Sequence, residues 1–312
     1  MSTRETVFVT GGAGFIGLHV VPMLLHSGRD VRIFDNMFRG DRGAVEALQA
    51  QHPGRVQLID QDIRYGGAVR AAMQGCDSVI HAAAVSINKS QADPHESMAI
   101  NTIGSHNVFA AAADLGVRRL VFCSSASVYG DPERLPMHED DRLSPQTPYC
   151  ISKRTGEDLL GFYQRSSGLS WIALRFFNVY GPGQKTTAYY TSVINHFVNR
   201  LKAGDPPVID GRGEQSMDFI HVHDIARSVV LALDCEGDNV PVNIGTGIDT
   251  TVAELARILI DAVGVDVQPE FSGREVIASR RAADVSRAME ILGFEASILV
   301  RDGMTDLIRS GG

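Results

Sequence analysis

A tyrosine and a lysine four residues apart form the first pair in this sequence whose side chains together could do chemistry. In a helix, Tyr149 and Lys153 would lie one turn apart on the same face. The ammonium group favours the phenolate and lowers the pKa of the tyrosine from about 10, so Tyr149 can serve as a general base. Taken alone, such a pair is typical of a protein surface.

Two serines at the end of an apolar strand could complete this site. Residues 120–123 read as a buried strand, and Ser124 and Ser125 follow directly. In a doubly wound sheet such a strand end opens onto the ligand crevice. A serine hydroxyl there can donate to a substrate oxygen while the phenolate of Tyr149 removes its proton.

The N-terminal segment predicts a site for a dinucleotide. Three β-favouring residues, 7–9, lead into Gly11, Gly12, Gly14 and Gly17, and an apolar helix-like segment starts at Phe15. A pyrophosphate can bind the free N–H groups at the start of that helix. Gly11 would allow the turn, Gly14 the approach of the backbone to phosphate, and Gly17 the close packing of helix on strand. A simple strand–helix turn is the alternative.

An acid at the end of the next strand indicates which dinucleotide binds. Residues 31–35 read as that strand, and Asp35 lies about 20 residues past the glycines, where an acid accepts the ribose hydroxyls of NAD. A carboxylate there repels a 2′-phosphate, which favours NAD over NADP. Arg39 and Arg42 could favour NADP, but they lie in a polar turn, where solvated charge is typical.

The elements around these residues alternate between strand and helix, which predicts an α/β fold with a doubly wound parallel (Rossmann) sheet. Residues 1–180 are expected to form the NAD-binding domain. Residues 181–312 are expected to form mostly a smaller substrate lobe, with some segments returning to the sheet. The patterns predict further strands at 56–59, 78–81 and 171–175, and helices at 44–51, 68–73, 96–115, 149–165, 190–203 and 252–263.

Two other strand ends carry candidate cofactor contacts. Asp62 could bind the adenine amino group, although capping of the next helix explains it equally well. The small side chains at 82–84 would let a dinucleotide lie close to the backbone, and core packing is again the alternative.

Composition excludes several classes of protein. A formal charge of −8 with no basic run argues against a nucleic-acid surface. The four cysteines are widely spaced without a C-x-x-C pair, which indicates neither a zinc site nor a disulfide framework. No apolar run reaches membrane-spanning length, so we expect a cytoplasmic protein. His221 and His223 alternate along an expected strand, which favours packing or capping over metal binding.

Seven motifs together are specific to one family. They are T-G-G-A-G-F-I-G (10–17), D-I-R (62–64), H-A-A-A (81–84), S-S-A-S-V-Y-G (124–130), Y-C-I-S-K (149–153), R-F-F-N-V-Y-G-P (175–182) and D-F-I-H-V-H-D (218–224). Over almost its whole length the chain resembles the extended short-chain dehydrogenase/reductase family, in particular its nucleotide-sugar epimerases and dehydratases. The resemblance implies bound NAD and the catalytic residues Ser125, Tyr149 and Lys153, with Phe176 beside the nicotinamide and Asn178 against the sugar diphosphate.

The predicted binding residues follow the same strand ends and motifs. The cofactor site is expected to comprise Gly11, Gly14, Phe15, Ile16, Gly17, Asp35, Asn36, Asp62, Ile63, Ala82, Ala83, Ala84, Asn101, Cys123, Tyr149, Lys153 and Phe176. The substrate site is expected to comprise Ser86, Ser125, Ala126, Asn178, Lys185, Arg212, Arg274 and Arg281. No metal is expected.

The residues after the first serines favour one reaction within the family. Dehydratases of this family typically carry a Thr-Asp-Glu run there, whereas Ala126 and Ser127 cannot handle elimination of water. The resemblance then implies a 4-epimerase, in which Tyr149 takes the 4-hydroxyl proton, NAD takes the C4 hydride, and hydride returns to the other face of the 4-keto sugar. A dehydratase or 4-keto reductase remains the first rival, and a non-catalytic NAD-binding regulator the second.

The substrate end departs from the family pattern. Relatives usually carry an arginine before the D-F segment, where this chain has Met217. Arg274 matches a second diphosphate arginine of the family, and Arg212 could replace the first, although a solvated surface charge is the alternative for both. Arg281 and Lys185 match positions near the hexose, where two cations would suit an anionic sugar such as UDP-glucuronate.

The two long helices predict a homodimer. The segments at about 96–115 and 149–166 show apolar residues around more than one face, which suits pairing with a second copy across a two-fold axis. Four-helix dimers of this kind are usual in the family that the chain resembles.

Overall fold

The computed structural model describes residues 4–184, 192–237, 239–274 and 279–310. The strands are β1 (Thr6–Thr10), β2 (Asp30–Asp35), β3 (Val56–Asp60), β4 (Ser78–His81), β5 (Arg119–Ser125), β6 (Trp171–Phe176), β7 (Asn178–Tyr180), β8 (Val208–Asp210), β9 (Ser216–His221), β10 (Val240–Ile244), β11 (Asp249–Thr251) and β12 (Glu270–Ser272). The helices are α1 (Phe15–His26), α2 (Arg42–Gln51), α3 (Gly66–Met73), α4 (Ile87–Ala92), α5 (Pro94–Ser97), α6 (Ser105–Leu115), α7 (Pro148–Ser167), α8 (Ser192–Lys202), α9 (Val222–Asp234), α10 (Val252–Val263), α11 (Ser286–Leu292) and α12 (Val300–Arg309). No helix within these ranges has the length and apolar character needed to cross a bilayer.

A seven-stranded parallel sheet forms the centre of the fold, in the order β3-β2-β1-β4-β5-β6-β10. The predicted α/β class with a doubly wound parallel sheet is confirmed. The chain leaves β1 toward β2 on one side and later returns to β4 on the other. Such a reversal of strand order opens a crevice at the carboxyl ends of the strands, where ligands of this fold bind.

Alternating side chains of the strands divide the core into two layers. Phe8, Phe34 and Phe122 face α3, α6 and α7 on one side of the sheet. On the other side, Val7 and Val9 belong to a second buried layer with residues of α1, α9 and α11. Both faces of the strands are buried, which explains their continuous apolar runs.

The later part of the chain builds a smaller lobe with a core of its own. Residues of α8, α10 and α12 pack there around side chains that include Phe197, Leu259 and Met304. Three segments beyond residue 181 belong to the sheet layer instead. Strand β10 pairs with β6, α9 packs against α1, and α11 packs against β10 and α9.

Two sequence predictions differ from the structure. The helix expected at 96–115 is interrupted by a π-helical segment, Met98–Gly104, between α5 and α6. The expected strand through His223 is wrong, because β9 ends at His221, whose Nδ1 accepts the backbone N–H of His223 and so caps α9. Alternation over three residues could not distinguish a strand from a strand end followed by a cap.

Two glycines at the start of the chain are required by close contacts. Gly11 has a φ of +69°, and a Cβ there would lie 2.7 Å from the backbone nitrogen of Ala83. A Cβ on Gly17 would lie 2.5 Å from Cα of Gly12. Helix α1 can therefore approach the glycine turn only because Gly17 lacks a side chain, and the chain after β4 can approach it only because Gly11 does.

We expect Gly17→Ala to lower the free energy of unfolding by roughly 1–3 kcal/mol, because the added methyl group meets backbone that cannot move independently. The matched control is Gly67→Ala in α3, where a Cβ would meet no atom within 4 Å. That change should be neutral or stabilise by up to about 1 kcal/mol. Thermal unfolding of the two variants tests this, and equal melting temperatures would contradict it.

Candidate functional site

A cleft of about 340 Å³ lies at the carboxyl ends of β1 to β4. The predicted cofactor residues that line it are Gly11, Gly14, Phe15, Ile16, Gly17, Asp35, Asn36, Asp62, Ile63, Ala82, Ala83 and Ala84. The tertiary structure therefore brings together residues that are up to about seventy positions apart in the sequence.

The start of α1 forms the floor of this cleft and suits a pyrophosphate. Gly14 is the N-cap residue and makes no side-chain cap, and the first turn carries no acidic residue. The N–H groups of that turn are thus available to an anion, and the helix dipole adds positive potential. Gly11 and Gly17 line the cleft without side chains, so backbone atoms form its surface where the phosphates would lie.

Asp35 ends β2 beside the glycine turn. Its two carboxylate oxygens accept hydrogen bonds from the backbone N–H groups of Ala13, at 3.1 Å, and Met37, at 2.9 Å. Burial raises the pKa of this carboxyl group, and the two hydrogen bonds oppose that shift. These bonds hold the carboxylate at the rim of the cleft, where it can accept ribose hydroxyls.

Asp62 is held by its neighbours rather than by the next helix. Its carboxylate accepts hydrogen bonds from Asn36 Nδ2, at 2.9 Å, and from the guanidinium and backbone N–H of Arg64. Burial acts to raise the pKa of Asp62, but these bonds outweigh it and the net shift is downward. Helix α3 has Tyr65 at its N-cap, so the capping alternative for Asp62 is wrong.

A buried histidine, His81, directly precedes the small residues 82–84 and is held by two hydroxyl groups. Nδ1 of His81 lies 2.7 Å from Oγ1 of Thr10, and Nε2 lies 2.8 Å from Oγ of Ser105. Burial, reinforced by the charge of Lys153, lowers the pKa of His81 to about 3, so the ring is neutral. Ser105 donates its own proton to the carbonyl of Asn101, which leaves Nε2–H as the donor of the histidine.

Asn101 acts on this wall through the backbone and is not among the residues that line the cleft. Its side chain accepts from the N–H of Val85 at 2.8 Å and donates to the carbonyl of Val85 at 3.2 Å. The π-helical segment carries Asn101, and π-helical turns often mark functional sites.

The predicted base and its lysine lie in the first turns of α7. Thr147 caps this helix, and Pro148 is its first residue. The Lys153 side chain is buried, and Nζ donates to the carbonyl of Cys123 at 2.7 Å and lies 5.7 Å from the ring centre of Tyr149. Burial lowers the pKa of Lys153 to about 8, against the opposing effect of Cys123 and Glu157.

Ser125 and Phe176 are register partners at the ends of β5 and β6. Oγ of Ser125 accepts the N–H of Ser127 at 3.2 Å, which caps a 3₁₀ turn, Ala126–Tyr129, and leaves the hydroxyl proton to be donated. Ala126 is only 5% exposed, and Phe176 6%.

The predicted substrate residues lie in different settings. The side chain of Asn178 donates to the carbonyl of Asp218 at 3.1 Å. Ser86 is the N-cap residue of α4, and its side chain makes no capping hydrogen bond. The side chain of Arg281 is 16% exposed and lies 3.9 Å from Asp131, which closely follows the serine strand. Lys185 lies outside the described residues.

The other two arginines are on the surface of the smaller lobe. Arg212 is exposed, and Arg274 is 79% exposed with Nη1 3.6 Å from a carboxylate oxygen of Asp210. Met217 is half-buried and packs against the core of the lobe. The geometry therefore distinguishes a sequestered arginine, Arg281, from two exposed ones.

Several residues of the cleft were not among the predicted binding residues, and Arg39 had been interpreted as a solvated charge. They are Phe34, Phe38, Arg39, Gly40, Gln61, Arg64, Val85, Glu96, Ile100 and Gln184. Arg64 lies two residues after Asp62, and the turn with Arg39 follows Asp35, so proximity to a predicted acid was the available signal. Glu96 and Ile100 reach the cleft from another element, and no spacing in the sequence points to them. Within the described ranges, no three His, Cys, Asp or Glu side chains gather as a metal site would require.

Comparisons with known proteins give a consistent result. Residues 7–245 match the model of the NAD dependent epimerase/dehydratase family. A UDP-glucose 4-epimerase of Mycolicibacterium smegmatis is 32% identical over 309 residues, covering 96% of each chain. UDP-glucuronic acid decarboxylase 1 of Xenopus tropicalis is 28% identical and covers 98% of this chain and 72% of its own length.

Solved structures of similar proteins agree in fold along the whole chain. A UDP-glucose 4-epimerase of Thermotoga maritima, crystallised with UDP-glucose, has a TM-score of 0.88 at 30% identity, with 98% of each chain covered. A UDP-glucuronic acid 4-epimerase of Bacillus cereus, in complex with NAD and a fluorinated UDP-glucuronic acid, has a TM-score of 0.87 at 25% identity, covering 98% of each chain. The predictions of an enzyme and of NAD as its cofactor are confirmed, and the chain belongs to the NAD dependent epimerase/dehydratase family.

Proposed function

We propose that this protein is a nucleotide-sugar 4-epimerase. The observation that supports the proposal is a proposed catalytic set without an added acid. Ser125 ends β5 and Tyr149 and Lys153 lie one turn apart on α7, whereas Ala126 and Ser127 are buried and carry no carboxyl group. Removal of water from a sugar requires an acid to protonate the leaving hydroxyl, and this strand end offers none.

Tyr149, Ser125 and Lys153 have different proposed roles in moving the proton of the 4-hydroxyl group. When bound, NAD supplies the acceptor and donor of the hydride at C4 of the sugar. The phenolate of Tyr149 takes the proton of the 4-hydroxyl group and returns it in the reverse step. Ser125 donates a hydrogen bond to the same sugar oxygen, and the buried ammonium of Lys153 stabilises the phenolate. The glycine turn, Asp35 and the wall at 82–84 hold the dinucleotide.

The substrate proposed is a nucleotide diphosphate sugar, because relatives over the whole chain act on UDP-sugars. Asn178, on the strand that leads from the sheet into the smaller lobe, is proposed to meet the diphosphate. Arg212 and Arg274 are proposed to reach it from the surface of that lobe. Arg212 would replace the family arginine at the position of Met217, and Arg274 would be the second diphosphate arginine. A nucleotide in this position would place the hexose toward Ser125 and Tyr149.

The position of Arg281 supports a narrower proposal, namely that the substrate carries an anionic sugar, as UDP-glucuronate does. Its side chain is largely sequestered, and among the residues that the structure describes its guanidinium lies a long 3.9 Å from the carboxylate of Asp131. A sequestered guanidinium with one distant carboxylate beside it can donate two parallel hydrogen bonds to the carboxylate of a substrate. Lys185 would add a second cation. A relative and a similar structure both act on or bind UDP-glucuronic acid.

A panel of sugars tests the proposed function. The purified protein is incubated with UDP-glucose, UDP-galactose, UDP-glucuronate and the N-acetyl forms, and the products are read by NMR. We expect interconversion of C4 epimers without net oxidation, water loss or release of carbon dioxide, and the fastest turnover on the uronate. Equal rates on neutral and anionic sugars would contradict the proposal of an anionic substrate. A dehydrated or decarboxylated product, or no product, would contradict the proposal of a 4-epimerase.

Tyr149→Phe should abolish epimerisation and leave bound NAD in place, because the change removes only the oxygen that exchanges the proton. We expect at least about a 100-fold loss of turnover, the scale of general acid–base catalysis. Tyr163→Phe on the same helix is the matched control, since that hydroxyl lies 3.1 Å from His106 and outside the catalytic set. Unchanged turnover in Tyr149→Phe would contradict the role given to this tyrosine.

The pH dependence of turnover should report on Lys153. Burial lowers its pKa to about 8, so the ammonium is present below that pH and is lost above it. We expect turnover to fall as the pH rises through about 8, because the phenolate of Tyr149 then lacks its cation. The measurement is kcat/KM across neutral and alkaline pH. Lys153→Met should turn over slowly and lack this alkaline decrease.

A homodimer is proposed through the predicted helices. Large apolar side chains are exposed on the π-helical segment and on α7: Ile103 is 55% exposed, Ile151 42% and Phe162 51%. These helices pack side by side, so their apolar residues can form one continuous patch for a second copy.

Ile103→Glu should convert the dimer to a monomer, because it places a charge in the apolar interface. The control is Ile248→Glu, which alters a similarly exposed apolar residue, 62% exposed, in the turn between β10 and β11. Light scattering at low protein concentration measures the mass of both. A monomeric parent protein would refute the dimer.

A further inference from the structure

A buried ion pair lies directly behind the proposed catalytic residues. Arg175 of β6 binds Glu157 of α7 through two hydrogen bonds, of 3.0 Å from Nε and 2.7 Å from Nη2. The side chains are only 3% and 6% exposed. Oγ of Ser124 donates to the same carboxylate at 2.6 Å. Three elements of the sheet layer therefore meet at one carboxylate.

Each member of this group is next to a residue of the proposed site. Ser124 precedes Ser125, and Arg175 precedes Phe176. Glu157 lies one helical turn beyond Lys153 on the same face of α7. A shift at the carboxylate would therefore move the serine, the lysine and the aromatic side chain relative to one another.

The network also continues away from the crevice. Nη1 of Arg175 donates to the hydroxyl of Tyr129 and to the carbonyl of Glu139, both at 2.9 Å. Tyr129 in turn donates to Asn243 of β10 at 2.7 Å. The guanidinium is thus fixed from three sides, which is a rigid arrangement for a long side chain.

Stability alone does not explain a charged pair in this place. Removing two charges from water costs several kcal/mol per ion, and well-packed apolar residues of similar volume often stabilise a fold as well or better. What the pair does provide is direction, because a bidentate guanidinium–carboxylate contact fixes both side chains in one plane.

We propose that Ser124, Glu157 and Arg175 form a positioning clamp that fixes α7 against the ends of β5 and β6 and so sets the geometry of Ser125, Tyr149 and Lys153. The clamp rests on the proposed function, because those three residues are its target. None of its members is proposed to touch the substrate or the cofactor; they act through their neighbours in the chain.

The clamp also acts on Lys153 through charge. The groups around this ammonium are Tyr149 and Glu157 on α7, Cys123 on β5 and the neutral His81 on β4. Glu157 is the carboxylate among them, and its negative charge opposes the loss of the proton from Lys153. Removing that charge should shift the deprotonation of Lys153 to lower pH.

Ser124→Ala is the main test, since it removes one hydrogen bond and leaves the ion pair intact. We expect kcat for the epimerisation to fall about 10- to 100-fold, as for a small misplacement of catalytic groups. KM for the nucleotide sugar and the content of bound NAD should not change. Ser228→Ala is the matched control: that serine is fully buried, donates only within α9, and lies outside the site.

Glu157→Gln adds a readout that simple structural support would not alter. We expect a similar loss of kcat, normalised to bound NAD, and an alkaline decrease in turnover that begins at lower pH than in the parent. Should this variant fail to fold, Ser124→Ala still decides the question.

Two outcomes would overturn the clamp. If Ser124→Ala keeps kcat within about twofold of the parent, or loses no more than Ser228→Ala, the group only supports the fold. If KM rises while kcat stays constant, the network acts on binding and not on the catalytic residues. A parent protein that epimerises no sugar would instead overturn the proposed function itself, and the clamp with it.

Discussion

The site depends on one buried charge. Lys153 keeps its ammonium in the interior by donating to the carbonyl of Cys123, with the rings of Phe122 and Tyr149 within about 6 Å. Burial makes this charge costly, and the same burial strengthens its effect on the phenol beside it. The carbonyl can serve as the partner because β5 ends where α7 begins to cover it. The position of this charge beside the ring of Tyr149 is therefore a consequence of how the sheet and the helix pack.

The parallel sheet explains why the remaining groups gather at one edge. All seven strands point the same way, so Thr10, Asp35, His81, Ser125 and Phe176 each lie at or near a carboxyl end. The reversal of strand order at β1 separates the helices there and leaves room for a ligand. Glycines at two positions then let the backbone itself form the surface of the cleft.

Segments that run between the central sheet and the smaller lobe connect the lobe to this edge. Asn178 and Asp218 are joined by a hydrogen bond from the Asn178 amide to the Asp218 carbonyl. The buried carboxylate of Asp218 also accepts from Thr246, Gly247 and Ala283, which fixes the chain near Arg281. Specificity for a sugar can thus change in the lobe without disturbing the groups that are proposed to exchange the proton and the hydride.

Local sequence by itself determined the fold class, the glycine turn before α1 and the placement of Tyr149 and Lys153 on one helix. Gly11, Gly14 and Gly17 are recognisable because a tight turn and a close helix impose a fixed spacing, and Tyr149 and Lys153 because a helical turn does. The helix predicted at 252–263 has those bounds in the structure, where Thr251 and Glu254 form a capping box and Gly264 ends the helix.

Only the tertiary structure decided how distant residues combine. The carboxylate of Glu157 joins Ser124, 33 residues earlier, to Arg175, 18 residues later, and no local pattern encodes such a meeting. The π-helical turn that brings Asn101 to Val85 depends on the same kind of long-range contact. Periodicity reports which face of an element is buried, whereas the partner that covers it is set by packing of the whole chain.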